Sequence, residues 1–534
     1  MAQQSVDRAV DQARYYAAGH WQSRDLWESL AEAAAQQTGR TAFIAEGASL
    51  SYGDLVRQAQ AVAGGLVAQG VSPGDVVVIH GRNSIESVLA LLGCLCLGAI
   101  AAPLPPMFSV EQVARICESA SAVAVIALGD AAERGRALAG GSQAASVRRR
   151  IAVGESPEGT DVVNWEVLLQ APPYRRLRAT DPDALALLVY SSGTTGAPKG
   201  VMHSSNTVRY AARQRAQLHG VGADDVALVV SQFGFVGSIV FGLLLGPLAG
   251  ATTVLMREWS GDAAIRLIER YRISYGLMMP THVHDVLNSD LLDGADVSSF
   301  ARCSMGGLTR ERRWEVQRRL CPQPLPAYGM SECLGYTTCT LGEREDKLFS
   351  TDGHPYPGTE TIIVDEEGEA LGSGVNGMIL VRGPSRFLGY YGATALTRSA
   401  LTDDGFFRTG DIGWTDTDGY IGFVARQNDI IRRGGVTIVP GDLERVLATH
   451  PRIEHAAVVA VPDDRLGERA CACLISRDGR PISLDEVTRF LAERNVARYT
   501  WPESVAMFES FPRSASLKVR KSDLIEELAQ RRLV

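Results

Sequence analysis

Short apolar runs alternate with longer segments of helical periodicity through much of the chain. Four of these runs have the length of buried strands: residues 76–80, 226–230, 252–256 and 274–278. Alternation of this kind is typical of mainly parallel sheets that are covered by helices on both faces, with ligand-binding loops at the strand ends. The pattern therefore predicts an α/β fold.

The apolar stretch at residues 88–104 is long enough to suggest a membrane-spanning helix. It is interrupted by Gly93, Gly98 and Pro103, however, which favours a buried helix at 85–97 followed by a strand. We therefore expect no membrane span. Residues 131–161 are rich in Gly, Ala, Ser and Arg without clear periodicity, which predicts a variable surface excursion.

A second, smaller domain is predicted at the C-terminal end. A chain of 534 residues exceeds what one hydrophobic core supports, so it should divide into lobes or domains. Apolar runs at 456–461 and 470–475 and a helical segment at 484–494 form a compact α+β pattern. We expect a large multi-lobed N-terminal domain over residues 1–426 and a small C-terminal domain over residues 427–534.

The composition favours a small-molecule enzyme. The formal net charge is −8 at pH 7 and no basic block occurs, which argues against nucleic acid or a membrane surface as the main partner. Nine cysteines lie scattered or as Cys94-Leu95-Cys96 and Cys471-Ala472-Cys473, spacings that fit neither a disulfide framework nor a zinc site. The polar N-terminal residues 1–20 lack a secretory core, so we expect a cytoplasmic protein.

The strongest signal for chemistry is a glycine-rich turn directly after the apolar run at 185–190. The turn consists of Ser191, Ser192, Gly193, Thr194, Thr195 and Gly196, with Lys199 just beyond. Its glycines let backbone N–H groups converge on phosphate. The Walker order Gly-x-x-x-x-Gly-Lys-Ser/Thr is absent, which excludes a generic P-loop ATPase. A flexible Ser/Gly linker is the alternative, but linkers seldom follow a buried strand.

Further polar motifs follow in the chain. They are Ser304-Met305-Gly306-Gly307-Leu308, Ala327-Tyr328-Gly329-Met330-Ser331-Glu332, Phe407-Arg408-Thr409-Gly410-Asp411 and, near the C-terminus, Ser516-Leu517-Lys518. Tyr328 offers a flat face for a purine, and Glu332 offers a hard oxygen ligand for Mg²⁺. Asp411 can accept hydrogen bonds from two vicinal hydroxyls. Each motif alone is equally explained by a turn, so their order along the chain matters.

In this order, the phosphate loop and these motifs resemble those of the ANL superfamily of adenylate-forming enzymes, which includes acyl-CoA synthetases, peptide-synthetase adenylation domains and luciferases. The resemblance extends from Ser51 to Lys521. It implies ATP/AMP, Mg²⁺ and coenzyme A as ligands. The nucleotide-binding residues that it implies are Ser191, Ser192, Gly193, Thr194, Thr195, Gly196, Gly307, Leu308, Ala327, Tyr328, Gly329, Ser331, Asp411 and Arg426.

The resemblance also implies a two-step reaction. A carboxylate is a poor electrophile, and joining it to AMP supplies a leaving group that a thiol can then displace. Because the carboxylate and the ATP phosphates are both anions, positive charges must offset their repulsion. Lys518 near the carboxylate and α-phosphate, Lys199 near the outgoing phosphates and Glu332 as the Mg²⁺ ligand are the implied catalytic residues. Lysine occurs at only four positions in this arginine-rich chain, which supports a specific need for the ammonium group at Lys199 and Lys518.

In the family, the C-terminal domain swings between the two steps. This implies a hinge at Asn428, just after Arg426, where the family commonly has Asp or Lys. It also implies that Gly434, Gly435 and Val436 meet the pantetheine arm of coenzyme A. A second departure is Leu517, which stands before the terminal lysine where glycine is usual and which disfavours positive φ. An enzyme that accepts only preformed acyl-adenylate is therefore an open alternative.

The predicted acid pocket comprises Phe233, Gly234, Phe235, Gly237 and Gly306. Aryl-acid ligases that resemble this chain often carry His-Asn where it has Gly234-Phe235. Loss of the imidazole and the amide removes volume and hydroxyl-recognising groups together, which favours a roomy apolar pocket for a bulky alicyclic or aromatic acid. The other interpretation is that the backbone requires glycine at this position.

We expect an ATP-dependent, AMP-forming acid–thiol ligase that acts on a small-molecule carboxylic acid and transfers the acyl group to coenzyme A. An enzyme that loads the phosphopantetheine arm of a separate carrier protein is the first alternative. A non-catalytic nucleotide sensor, from a different class, would keep the ATP motifs without turnover. A homodimer is compatible with the sequence.

Overall fold

The structure, a computed structural model, describes residues 9–154, 161–176, 179–191, 198–434, 436–513 and 519–531; of residues 9, 10, 191, 436 and 437 it describes the backbone only. The chain divides into two compact units. The first comprises Met1–Thr361 with Val381–Phe407, and the second Ile362–Leu380 with Arg408–Val534. The predicted boundary at residues 426 and 427 lies inside the second unit, and a mobile domain that begins there stays a prediction.

The elements are numbered in chain order. The strands are β1 (Thr41–Ala45), β2 (Ala48–Ser51), β3 (Val76–His80), β4 (Ile100–Leu104), β5 (Ala124–Ala127), β6 (Arg149–Ala152), β7 (Val162–Asn164), β8 (Leu185–Ser191), β9 (Lys199–Ser204), β10 (Val226–Val229), β11 (Thr252–Leu255), β12 (Tyr275–Met278), β13 (Arg302–Met305), β14 (Gln323–Tyr328), β15 (Thr337–Thr338), β16 (His354–Pro355), β17 (Glu360–Val364), β18 (Gly377–Arg382), β19 (Gly389–Tyr390), β20 (Phe407–Thr415), β21 (Ile421–Arg426), β22 (Ile431–Arg433), β23 (Val436–Ile438), β24 (Ile453–Asp463), β25 (Gly467–Ser476) and β26 (Ser504–Met507).

The α-helices are α1 (Ala9–Ala17), α2 (Leu26–Ala35), α3 (Tyr52–Ala68), α4 (Ile85–Leu97), α5 (Val110–Ser119), α6 (Ala131–Gln143), α7 (Trp165–Leu169), α8 (Ser205–Leu218), α9 (Val236–Ser238), α10 (Leu245–Ala249), α11 (Gly261–Tyr271), α12 (Pro280–Leu287), α13 (Arg310–Arg319), α14 (Glu345–Ser350), α15 (Thr394–Ser399), α16 (Pro440–Leu447), α17 (Leu484–Glu493) and α18 (Lys521–Gln530). A π-helical segment, Ile239–Leu244, joins α9 to α10. Short 3₁₀ turns complete the set at Leu292–Gly294, Gln427–Asp429 and Arg498–Thr500.

The first unit contains two large sheets. A nine-stranded sheet has the order β16-β15-β14-β13-β12-β10-β11-β1-β2, and its strands from β14 to β1 run parallel. An eight-stranded sheet has the order β19-β9-β8-β4-β3-β5-β6-β7 and is parallel from β8 to β7. Antiparallel strands lie at the remaining edges. The predicted α/β class with mainly parallel sheets is confirmed.

Helix α4 explains the long apolar stretch at 88–104. Every residue from Ser87 to Leu97 is buried, because the helix packs against β3 and β4 of one sheet and against β1 of the other. Gly98 ends the helix with a φ of 84°, a left-handed conformation that glycine adopts without strain. Among the described helices, none combines the length and the apolarity needed to cross a bilayer.

The predicted surface excursion at residues 131–161 is wrong over most of its described part. This segment forms helix α6 and strand β6, and β6 extends the eight-stranded sheet by pairing with β5. Asp130 and Glu133 form a reciprocal capping box that starts the helix. A Cβ on Gly140 would lie 2.8 Å from the Val110 carbonyl oxygen, so the small residues mark close packing on α5 rather than a loose loop.

The second unit holds most of a four-stranded sheet, β17-β18-β20-β21, and a second sheet in the order β23-β22-β25-β24 with β26 against β25. Residues 456–461 of β24 and 470–475 of β25 form continuous apolar runs because both faces of these strands pack on apolar cores. Val458 and Ala472 face a core that includes Leu443 of α16, whereas Val459 and Cys471 face one that includes Leu524 of α18. This is the small α+β body that the sequence predicts.

Candidate active site

Strands β8 and β9 hold the two ends of the predicted phosphate loop side by side. They pair antiparallel, and Ser191 at the end of β8 lies opposite Lys199 at the start of β9. The predicted strand before the loop is confirmed. The loop residues Ser192, Gly193, Thr194, Thr195 and Gly196 lie outside the described residues. The antiparallel hairpin fixes where the loop begins and ends, and it places the Lys199 backbone at its base.

Tyr390 connects the predicted lysine to the predicted metal ligand. Strand β19 pairs with β9 and brings Tyr390 opposite Val201. The Tyr390 hydroxyl donates a hydrogen bond of 2.9 Å to Oε1 of Glu332, and Nζ of Lys199 lies 5.7 Å from the centre of the Tyr390 ring. A cation over an aromatic face is attracted by the ring's negative face. One largely buried phenol thus contacts both an ammonium group and a carboxylate that the sequence places far apart.

The segment that carries Glu332 is held on both sides. Nε2 of His203, on β9, lies 2.8 Å from the Ser331 carbonyl oxygen, which requires the proton to be on this nitrogen. The Phe387 N–H donates to the Glu332 carbonyl oxygen at 2.7 Å. The imidazole of His203 on β9 and the backbone of Phe387 therefore both hold the 331–332 backbone in place.

Tyr390 and His203 were not among the residues that sequence reasoning selected. The repeated aromatic in Gly389-Tyr390-Tyr391 reads only as a turn, and His203 reads only as the end of a strand. Their roles depend on partners far away in the sequence: Glu332 stands 58 residues before Tyr390, and Ser331 stands 128 residues after His203. No local pattern carries this information.

The predicted purine site is built from the ends of two neighbouring parallel strands. Strand β13 leads into Gly306, and a Cβ on Gly306 would lie 3.1 Å from the carbonyl oxygen of Ala327 on β14. Gly307 has a φ of 68°, and buried Leu308 follows it. Tyr328 is the last residue of β14 and packs edge-on against Tyr336, with ring centres 5.5 Å apart. The predicted residues of this cluster lie together.

Gly329 has a structural role that the motif does not reveal. A Cβ at this position would lie 2.2 Å from the Cα of Gly335, which real side chains cannot approach so closely. The glycine is thus needed for contact between two parts of the same loop. Close approach of a ligand is not required to explain it.

At Gly234, the structure supports the interpretation that the backbone requires glycine. This residue has a φ of 95°, and an added Cβ would lie 2.6 Å from the backbone nitrogen of Pro105. A side chain here would be strained and would also displace the 104–105 peptide. Phe233 is fully buried, while Phe235 and Gly237 are partly exposed. Absence of a side chain at 234 therefore says nothing about the size of the pocket.

In the second unit, Asp411 and Arg426 are directly opposite each other on β20 and β21. Nε of Arg426 lies 2.9 Å from Oδ1 of Asp411, whose side chain is fully buried while that of Arg426 is 48 % exposed. The family resemblance implied that both residues bind the nucleotide, and the fold brings them together. Asn428 lies on the exposed 3₁₀ turn that follows β21.

The remaining predicted residues lie partly outside the described chain. Gly434 is exposed with a φ of 55°, and the Val436 backbone pairs with Arg433. Gly435, Leu517 and Lys518 are not among the described residues.

The donor set around Glu332 is compatible with a magnesium ion. Among the described residues no group of three or more His, Cys, Asp or Glu side chains is placed to hold a metal. Mg²⁺ in nucleotide sites is commonly held by one or two carboxylates, waters and the phosphates of the substrate rather than by a protein cage. A single carboxylate beside the predicted phosphate loop fits that mode of binding.

Known proteins resemble this chain over nearly its whole length. It is 32 % identical over 533 residues to 2-hydroxy-7-methoxy-5-methyl-1-naphthoate–CoA ligase of Streptomyces carzinostaticus, covering 96 % of this chain and 94 % of that protein. It is 32 % identical over 539 residues to salicyl-AMP ligase / salicyl-S-ArCP synthetase of Mycobacterium tuberculosis (strain ATCC 25618 / H37Rv), covering 98 % and 94 %. ATP-bound MatB from Rhodopseudomonas palustris has the same fold, with a TM-score of 0.85, 25 % identity and coverage of 95 % and 99 %.

Fold, site and relatives together define an adenylate-forming ligase, which uses ATP and produces AMP. The model of the AMP-binding enzyme family matches residues 30–391, and that of the AMP-binding enzyme C-terminal domain matches residues 442–518. The chain belongs to the AMP-binding enzyme family. The predicted superfamily and enzyme class are confirmed.

Proposed function

We propose that the protein is an acyl-CoA ligase that activates a bulky, mainly apolar carboxylic acid as its acyl-adenylate and transfers the acyl group to coenzyme A. The observation that carries the adenylating step is the contact of Tyr390 with both Lys199 and Glu332 at the base of the loop between β8 and β9. The bulky, apolar character of the acid rests on the phenylalanines of the predicted pocket, Phe233 and Phe235. A cation and a carboxylate fixed beside a phosphate loop can neutralise and orient a nucleotide triphosphate.

In the first step, a carboxylate oxygen of the acid attacks the α-phosphorus of ATP. The bond from that phosphorus to the bridging oxygen breaks, and pyrophosphate leaves. Lys199 stabilises the charge on the departing phosphates, and Lys518 stabilises the charge where carboxylate and α-phosphate meet. Glu332 would hold Mg²⁺, which would supply further positive charge to the phosphates. Tyr390 holds the Glu332 carboxylate in place.

In the second step, the sulfur of the thiol attacks the acyl carbonyl, and AMP leaves as the carbon–oxygen bond of the mixed anhydride breaks. We assign Asp411 and Arg426 to the ribose of the nucleotide throughout. Gly434, Gly435 and Val436 contact the pantetheine arm, and a C-terminal domain that begins at residue 427 turns at Asn428 between the steps. The pairing of Asp411 with Arg426 supports the first of these assignments.

A carrier protein is the second candidate acceptor. The observation that favours it is the equal similarity of this chain to a CoA ligase and to a protein named as a salicyl-AMP ligase and salicyl-S-ArCP synthetase. Both acceptors present the same thiol on a phosphopantetheine arm. The chemistry of the site is therefore common to both, and only the surface that receives the acceptor differs.

Acid-dependent release of pyrophosphate tests the proposal. Purified protein with Mg·ATP and a panel of alicyclic and aromatic acids should release pyrophosphate with at least one acid. Adding coenzyme A should then yield the acyl thioester, whereas thioester formation only on a phosphopantetheinylated carrier protein would favour the second candidate. Conversion of synthetic acyl-adenylates without any pyrophosphate release would mean that the enzyme performs the thiol step alone. Failure of both steps with every acid and adenylate would contradict ligase activity.

Replacing Tyr390 with Phe should lower kcat/KM for Mg·ATP by about 10-fold, because the hydrogen bond to a charged carboxylate is lost while the ring that faces Lys199 remains. The readout is steady-state pyrophosphate release with varied Mg·ATP. Tyr391→Phe is the matched control, since its hydroxyl, within the described residues, donates its hydrogen bond to the Ala120 carbonyl oxygen, at 3.4 Å. Equal kcat/KM for Y390F and Y391F would remove Tyr390 from the site.

A further inference from the structure

Arg215, on helix α8, is a buried cation with an unused nitrogen. Its side chain is 2 % exposed. Nε donates to the Tyr356 hydroxyl, and Nη1 donates to Oγ of Ser304 at 2.6 Å. Within the described part of the chain, Nη2 has no hydrogen bond, and no carboxylate forms an ion pair with the guanidinium group. The Phe241 ring, centred 4.4 Å from the guanidinium carbon, provides only a cation–π contact.

The polar groups around Arg215 are neutral. Burial lowers the pKa of His219, one turn further along α8, well below its usual value, and the Arg215 charge lowers it further. Burial raises the pKa of Tyr356, although the guanidinium group opposes this shift, so the phenol keeps its proton at neutral pH. None of these groups offsets the positive charge. A buried ion without a counter-charge is costly, which indicates that its partner is a molecule that binds there.

Arg215 contacts residues that stand close in sequence to two segments predicted to line the acid pocket. Phe241 belongs to the π-helical segment that follows the 233–237 loop, and Ser304 stands two residues before Gly306. Nη2 lies 2.9 Å from the position that a Cβ on Gly335 would occupy. Gly335, with a φ of 64°, is in the loop that follows Tyr328. The unused nitrogen therefore lies against a glycine of the loop that follows Tyr328, the predicted purine-binding residue.

We propose that Arg215 determines which acid is accepted, by donating a hydrogen bond from Nη2 to a second oxygen at the end of the acid remote from the reacting carboxylate. This inference rests on the proposed function and narrows its substrate class. The acid is the bulky, mainly apolar one of the proposed function, whose predicted pocket includes Phe233 and Phe235, but it carries one oxygen acceptor at its far end, which lies beside Arg215 and Phe241. A charged donor in a buried site discriminates strongly against an analogue that lacks the acceptor.

Matched acids test this assignment in the wild-type protein. 4-Oxocyclohexanecarboxylate and 4-methylenecyclohexanecarboxylate differ only by oxygen in place of CH₂, and 4-acetylbenzoate and 4-isopropenylbenzoate form the aromatic counterpart. In at least one pair, kcat/KM for pyrophosphate release should be about 10-fold or more higher for the oxygen-bearing acid. Pyrophosphate release with equal kcat/KM in both pairs would overturn the role of Arg215 and leave the ligase proposal intact. No release with any acid would contradict the ligase proposal itself.

Arg215→Met should reduce the preference within the discriminating pair to near unity. The ratio is measured on one preparation, so it does not depend on how much of the variant folds. Arg209→Met is the control: Arg209 is on the same helix and 1 % exposed, and its two Nη groups already bond Gln22, Arg24, Ser29 and Asn206. That variant should keep the wild-type ratio. If R215M also keeps the wild-type ratio, Arg215 has a structural role only. If R215M does not fold, the kcat/KM ratios of the wild-type protein decide whether the proposal stands.

Discussion

Glu332→Gln should reduce acid-dependent pyrophosphate release by about 100-fold or more, because it removes the negative charge that we propose binds Mg²⁺ beside the phosphates. The amide has nearly the same shape as the carboxylate, and its oxygen can still accept the hydrogen bond from Tyr390. Local structure should therefore persist, and the melting temperature should stay close to that of the wild type. Pyrophosphate release measured over a range of Mg²⁺ concentrations should show a requirement shifted to higher concentration.

Glu311→Gln serves as the control for this substitution. Glu311 is an exposed residue in the first turn of α13, and the structure gives it no contact with Tyr390 or Lys199. Its loss of charge should leave both the rate and the Mg²⁺ requirement unchanged. If E332Q behaves in the same way as E311Q, Glu332 is not the metal ligand, and the interpretation of the Tyr390 contact as a catalytic arrangement fails with it.

The fold was predictable from the sequence where a pattern was local and strong. The apolar run before Ser191, the strand at 76–80 and the helix at 85–97 were all recognisable because burial on both faces leaves continuous apolar stretches. The segment that became α6 was missed because its packing face is made of glycine and alanine, whose small size obscures helical periodicity. Asp130 and Glu133 carried the correct signal in the form of a capping box.

The candidate site was only partly predictable. Lys199 and Glu332 belong to motifs that chemistry and family resemblance both select. In the fold, Lys199 faces the ring of Tyr390 and Glu332 accepts a hydrogen bond from its hydroxyl. Tyr390 itself could not be found locally, because its importance comes from strand β19 pairing with β9. Gly234 could be read as a pocket feature or as a backbone requirement, and only the position of Pro105 separates the two. No sequence pattern selects Arg215 among the many arginines of this chain, because its burial is visible only in the fold.

Lys518→Ala should abolish most adenylation, with a loss of about 100- to 1000-fold in pyrophosphate release, while thiol transfer from a synthetic acyl-adenylate is largely kept. The reason is that a charge placed where two anions meet matters when they are joined, but matters much less once the mixed anhydride exists. The two half-reactions are measured separately: pyrophosphate release from Mg·ATP and acid, and thioester formation from acyl-adenylate and coenzyme A.

Lys521→Ala is the matched control for Lys518→Ala. Nζ of Lys521 lies 2.7 Å from Oε1 of Glu444, so this ammonium group forms an ion pair inside the second unit. The Lys521 substitution should leave adenylation near the wild-type rate and lower stability by at most about 1 kcal/mol. Equal losses in both half-reactions for K518A would indicate a general structural defect rather than a role in joining the anions. Unchanged adenylation in K518A would mean that Leu517 has already displaced the lysine from catalysis, since a branched residue before it disfavours the positive φ that glycine permits.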